Sequence, residues 1–221
     1  MADTSAGDEA GAIFVTLEGG EGAGKSVQCE ALAMRFEDAG RTVVRTREPG
    51  GTPLGERLRD VLLELPAPER AAVDPLTEAL LFVAARSELV AAVIAPAIAR
   101  GDVVICDRFA DSTLAYQGFG RALDLPTLEE LNAVATAGLR PDMTVFLDLA
   151  VEEGLARSGA SRTGDRIERE GMAFHERVRR GYRSLAGREP QRWLVVDASQ
   201  PPDAVTDEIW RGVEQRLAGS R

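Results

Sequence analysis

Five short apolar runs stand out along the 221-residue chain: Ile13 to Leu17, Thr42 to Arg45, Val103 to Cys106, Thr144 to Leu149 and Trp193 to Val196. Each is rich in β-branched residues, the signature of a strand covered on both faces. Between them apolar positions recur at helical spacing, which predicts helices at about 25 to 39, 54 to 64, 74 to 100, 126 to 137, 151 to 157, 168 to 187 and 203 to 218. That rhythm predicts an α/β fold with a five-stranded parallel sheet between helical layers. Pro96 should bend the 74 to 100 helix or mark its last turns. The segment from Arg157 to Arg169 breaks the pattern: it sets Ser158, Gly159, Ser161 and Gly164 among four arginines and reads as a mobile cationic lid.

Composition narrows the class. Hydrophobic residues make up 44% of the chain and charged residues 28%, the balance of a globular protein. A formal net charge of -10 argues against nucleic acid as the main partner, although a small anion feels only the local field of a few cations. No run reaches the roughly 18 to 20 apolar residues that span a bilayer. The first eleven residues, MADTSAGDEAG, read as a disordered tail ahead of a single domain over 12–221. Cys29 and Cys106 fall in a predicted helix and strand, as packed thiols of a reducing cytoplasm.

The chemistry begins at residues 19–26, GGEGAGKS, which match G-x-x-x-x-G-K-S/T between the first strand and the first helix. In that setting backbone amides from Gly19 to Gly24 converge on a β-phosphate, Lys25 reaches the β- and γ-phosphates, and Ser26 offers its hydroxyl to magnesium. No Asn-Lys-x-Asp motif marks a GTPase. The third run ends in Asp107 and Arg108 rather than in the acidic pair of a hydrolytic motor: Asp107 can hold a magnesium-bound water, and Arg108 can grip a second phosphate. A kinase that phosphorylates an existing phosphate needs little base catalysis, only in-line positioning and cations.

Beyond the phosphate loop, the chain resembles the bacterial thymidylate kinase family from about residue 12 to 218. The motifs, in order, are LEGGEGAGKS (17–26), TREPGGTPLGERLR (46–59), LLFVAARSE (80–88), CDRFADSTLAYQG (106–118), RPDMTVFLDL (140–149), DRIERE (165–170) and VDASQ (196–200). The resemblance implies a P-loop NTP-hydrolase-type three-layer α/β/α fold with a LID at about 157–169. It also implies ATP-dependent phosphorylation of thymidine monophosphate to the diphosphate, with Mg2+, in a cytoplasmic homodimer. It assigns ATP to Gly19, Gly20, Glu21, Gly22, Ala23, Gly24, Lys25, Ser26 and Val27, with the backbone of Asp197 and Ala198 against adenine. Ser26 and Asp107 would serve the metal, partly through water. Glu48, Pro49 and Arg59 would form the monophosphate pocket; Phe82 would stack on thymine; Arg86, Thr113 and Gln117 would meet the base.

By the same resemblance Tyr116 would exclude a ribose 2'-hydroxyl, Glu21 would approach the acceptor sugar, and Arg108 would bridge the two phosphates. No arginine stands between Gly19 and Lys25, so the transition-state cation falls to the lid, first to Arg166 and next to Arg162. Val27 stands where the family often has threonine. His175 reads as a solvated or capping residue. Two alternatives remain: a deoxynucleoside kinase with Glu48 as general base, and a non-catalytic ATP-binding switch.

Overall fold

In the computed structural model the described residues are 11–63, 73–159 and 165–219. The tail expected at 1–11 therefore lies outside them except for Gly11, as does the centre of the lid. The strands are β1 (Ile13–Gly19), β2 (Val43–Arg47), β3 (Val103–Asp107), β4 (Met143–Asp148) and β5 (Trp193–Asp197), each on one of the five apolar runs. All pair in parallel in the order β2-β3-β1-β4-β5. The order reverses beside β1, and ligands bind such sheets at the strand C-terminal ends near the reversal.

Side chains alternate across β1. Val15 and Leu17 enter a core with α1 (Lys25–Asp38) and α9 (Pro202–Gly219), built from Leu32, Ala33, Phe36, Val205, Ile209 and Val213. Phe14 faces the opposite layer, where Val104 and Cys106 meet Leu89, Ile94 and Ala97. That layer contains α2 (Pro53–Leu63), α3 (Pro75–Leu89), α4 (Ala95–Ala99), α5 (Ala110–Thr113), α6 (Leu125–Thr136) and α8 (Met172–Arg188); α7 (Val151–Ser158) precedes the lid. The three layers and the parallel sheet are those expected.

Differences in the helices have local causes. A π-turn, Val90–Ile94, joins α3 to α4 just before Pro96, whose ring would otherwise meet the carbonyl four residues back. The pattern missed helix α5 and the π-helical segment Leu114–Gly120 that continues it. Gly118 and Gly120 weaken any helical signal there, yet close packing requires them: a Cβ on Gly120 would lie 2.7 Å from the Phe174 ring. Helix α8 starts at Met172 instead of 168, because the Asp165 carboxylate caps the amides of Ile167 and Glu168 and holds a turn.

Among the described residues, the run Pro75–Ala99 is long and apolar enough, by length and composition, to cross a membrane. The sequence reading missed this. In the fold, Glu78 and Arg86 of that run are buried and ion-paired, and the run packs beside the sheet.

Candidate active site

A cavity of about 430 Å³ opens at the C-terminal edge of the sheet. On one side it is lined by the loop after β1. Gly24 takes the left-handed conformation (φ 88°), and α1 starts without a side-chain cap, so its first amides face the cavity edge. Lys25 Nζ donates to the Gly20 carbonyl at 2.8 Å, and Ser26 Oγ donates to Asp107 Oδ2 at 2.7 Å. Glu21, Gly22, Gly24, Lys25, Ser26 and Val27 line the cavity. Gly19, Gly20 and Ala23 lie behind that lining, and Ala23 is part of the core. Asp197 and Ala198 also lie off it; the Ala198 carbonyl accepts from Arg157, which does line it.

The other wall brings together Glu48, Pro49, Arg59, Phe82, Arg86, Arg108, Thr113, Tyr116 and Gln117, drawn from the loops after β2 and β3 and from α2, α3, α5 and the π-helical segment. Arg86 is 1% exposed. Its five N–H donors all have protein acceptors: both Glu48 oxygens, Thr113 Oγ1, Asn132 Oδ1 at 2.6 Å and the Phe109 carbonyl. A base-edge contact from Arg86 would share a donor already in use, whereas the Thr113 hydroxyl accepts from Arg86 and keeps its own proton to give. Arg59 donates to the Pro49 carbonyl at 3.0 Å.

Arg108 stands between the two walls. Its guanidinium donates to Glu21 Oε1 at 2.8 Å and to the Gly19 carbonyl at 2.9 Å, and it lies 4.9 Å from the Tyr116 ring centroid. The Tyr116 hydroxyl donates to the same Glu21 oxygen at 2.8 Å. Burial alone would raise the Glu21 pKa, but Arg108, Lys25 and the Tyr116 hydroxyl outweigh it and hold the carboxyl down to about 2.

Two expectations need correction. Arg166 does not line the cavity: it is 8% exposed, its Nε donates to the Leu62 carbonyl at 3.0 Å, and its guanidinium pairs with buried Glu78. Glu78 gathers Gln117 and Arg121 as well, a long-range arrangement with no local signal. Arg162 lies outside the described residues. His175 is 4% exposed rather than solvated, packed edge-on to Phe174. Ser112 and Asp165, to which no role was assigned from the sequence, line the cavity, as does the lid's Arg157.

A metal, if held here, finds hard oxygen donors in Ser26 and Asp107. Among the described residues no group of three acidic, His or Cys side chains forms a metal cage.

A phosphate loop, an acidic strand end and a second pocket sharing one cavity define the class: a P-loop phosphotransferase with room for a donor and an acceptor. The thymidylate kinase family model matches residues 17–209. The thymidylate kinase of Thermomicrobium roseum is 53% identical over 209 residues, covering 94% of this chain and 97% of that protein. The Deinococcus radiodurans thymidylate kinase is 51% identical over 204 residues, covering 92% and 97%. The crystal structure of thymidylate kinase from Ehrlichia chaffeensis superposes with a TM-score of 0.74 at 32% identity, covering 92% of this chain and 99% of that one. The chain belongs to the thymidylate kinase family.

Replacing Arg166 by Ala strips one partner from a buried ion pair while Glu78 keeps Arg121 and Gln117, so a loss of about 2–3 kcal/mol of stability is expected in denaturant titration, with turnover close to wild type. Unchanged stability with turnover down about 10³-fold would return Arg166 to the transition state. Glu21 titrates near 2 folded against 4.5 unfolded, so its contribution is complete above pH 4.5 and is lost as pH falls towards 2. The stability difference between wild type and Glu21→Gln should shrink by about 1.4 kcal/mol from pH 7 to pH 3.5. A pH-independent difference would mean that the carboxylate gains nothing from Arg108.

Proposed function

We propose that this chain transfers the γ-phosphoryl group of ATP to thymidine monophosphate, giving ADP and thymidine diphosphate. The observation that carries this reading is the single cavity in which the Lys25–Ser26 phosphate loop faces the Phe82, Thr113, Tyr116 and Gln117 wall, with Arg108 between them. Both reacting groups are anions, so the work of the site is to hold them in line and offset their repulsion. Lys25 would meet the β- and γ-phosphates, and Arg59 the acceptor phosphate, which Arg108 would bridge to the donor. Ser26 and Asp107 would hold Mg2+, which supplies further neutralisation on the donor phosphates. Phe82 offers a face for the base, and Tyr116 fills the space beside the sugar. With Arg166 committed to Glu78, the lid's contribution falls to Arg157 and Arg162.

The deoxynucleoside-kinase alternative needs a carboxylate free to take a proton from the sugar. Glu48 is buried and receives Arg86 on both oxygens, so it is engaged already. A homodimer is part of the proposal: Leu54, Val61, Leu76, Leu80 and Val134 are exposed on the neighbouring helices α2, α3 and α6. Light scattering should give twice the chain mass, and Leu80→Glu should halve it; a monomeric wild type would remove this part.

The function is tested by following ADP formation with ATP, magnesium and each nucleoside monophosphate in turn, with thymidine included. Thymidine monophosphate should be the preferred acceptor, turnover should stop without magnesium, and Arg108→Ala should lower turnover by about 10³-fold. Preference for thymidine would reinstate Glu48 as a base; transfer to no acceptor would favour the ATP-binding switch.

A further inference from the structure

Arg108 is a non-glycine residue in the left-handed region, with φ 70°. Such a conformation persists only where the surroundings hold it. Here the neighbouring backbone groups are captured one by one. The Arg108 amide donates to the Leu17 carbonyl at 3.0 Å, the Cys106 thiol donates to the Arg108 carbonyl at 3.0 Å, and the next amide, Phe109 N–H, donates to Glu18 Oε1 at 2.8 Å.

Glu18 is fully buried at the end of β1, one residue ahead of the phosphate loop. Its second oxygen lies 2.6 Å from Ser112 Oγ and 2.9 Å from the Tyr182 hydroxyl, and those two hydroxyls lie 2.8 Å from each other. Three oxygens thus form a closed ring. Two hydroxyl protons can fill only two of its edges, and a proton on the carboxyl fills the third. Tyr182 carries the ring on to the site: Arg108 Nη1 approaches its hydroxyl at 3.4 Å.

We propose that Glu18 is a positioning residue for Arg108: its buried carboxyl fixes the left-handed turn through Phe109 N–H and closes the Ser112–Tyr182 ring that braces the guanidinium. The proposal rests on the reading of Arg108 as the phosphate-bridging cation. Burial and the nearby Asp111 carboxylate push the Glu18 carboxyl up to about 7, against Ser112, Arg108 and Phe109, in keeping with a ring that retains a proton. Ser112 and Tyr182 come from α5 and α8, so the ring also ties the turn after β3 to the helix that follows the lid.

The test is a mutant cycle with Arg108. Glu18→Gln keeps an acceptor for Phe109 N–H but cannot accept from the ring, and Tyr182→Phe removes a ring oxygen with little change of shape. Each should lower kcat for thymidine monophosphate by about tenfold, with both nucleotide KM values within about threefold of wild type. Neither should cost anything further in an Arg108→Ala background. Effects that multiply with Arg108→Ala, or a kcat equal to wild type, would overturn the proposal. If Glu18→Gln fails to fold by circular dichroism, Tyr182→Phe and Ser112→Ala decide the same point. A wild-type enzyme that does not phosphorylate thymidine monophosphate would instead remove the reading of Arg108 on which the proposal rests.

Discussion

The parallel pairing of β1 with β3, with Leu17 opposite Asp107, is the constraint on which the site depends. It brings two chain turns together that are almost ninety residues apart: the phosphate loop after β1 and the Asp107–Arg108 turn after β3. Ser26 therefore meets Asp107, and Arg108 meets both Gly19 and Glu21. A slip of one residue would turn every side chain to the opposite face and separate these groups. The extensive core below fixes the register, because Val15, Leu17, Val103 and Ile105 must all reach the α1 and α9 layer.

The opposite face of β1 grades from apolar to ionisable. Phe14 lies in the core with Val104; Thr16 meets Thr144, which also contacts Asp111 and Arg192; Glu18 follows at the edge of the site. Buried polar groups of this kind cost free energy unless each finds a partner. Here the partners come from β4, α5 and α8, so hydrogen bonds tie this face of the sheet to the helices that cover it. The overall acidity of the chain is no obstacle to binding anions, because a small anion feels the local field and two of the acids that line the cavity are neutralised by arginines, Glu48 by Arg86 and Glu21 by Arg108.

This division explains what could be read from the sequence. The strands and the phosphate loop were legible because their signals are local: β-branched runs, and a glycine pattern followed by Lys25 and Ser26. That Phe82, Thr113 and Tyr116 share one wall could be expected only through family resemblance, since they come from separate elements. Segment 110–120 was not legible as helix, because packing against Phe174 and Leu125 stabilises it rather than intrinsic propensity. The placement of Arg166 was not legible for the same kind of reason: DRIERE marks a cation near the lid, but its direction is set by Glu78, far back in the chain. His175 looked polar in a charged helix, yet the helix turns that face inward.

Glycine ties the lid to the phosphate loop. Gly22 lies at φ 67°, and a Cβ there would come 2.1 Å from the Gly154 carbonyl; a Cβ on Gly154 would come 2.3 Å from the Glu21 carbonyl. Backbone packs on backbone at this point, with no side chain able to give way. Gly154 belongs to α7, the helix that carries Arg157 and leads into the lid. The peptide between Glu21 and Gly22 therefore packs directly on α7, next to the carboxylate that holds Arg108. The phosphate loop, Arg108 and the helix that leads into the lid thus meet through one run of direct contacts, Gly154 against the Glu21–Gly22 peptide and Glu21 against Arg108.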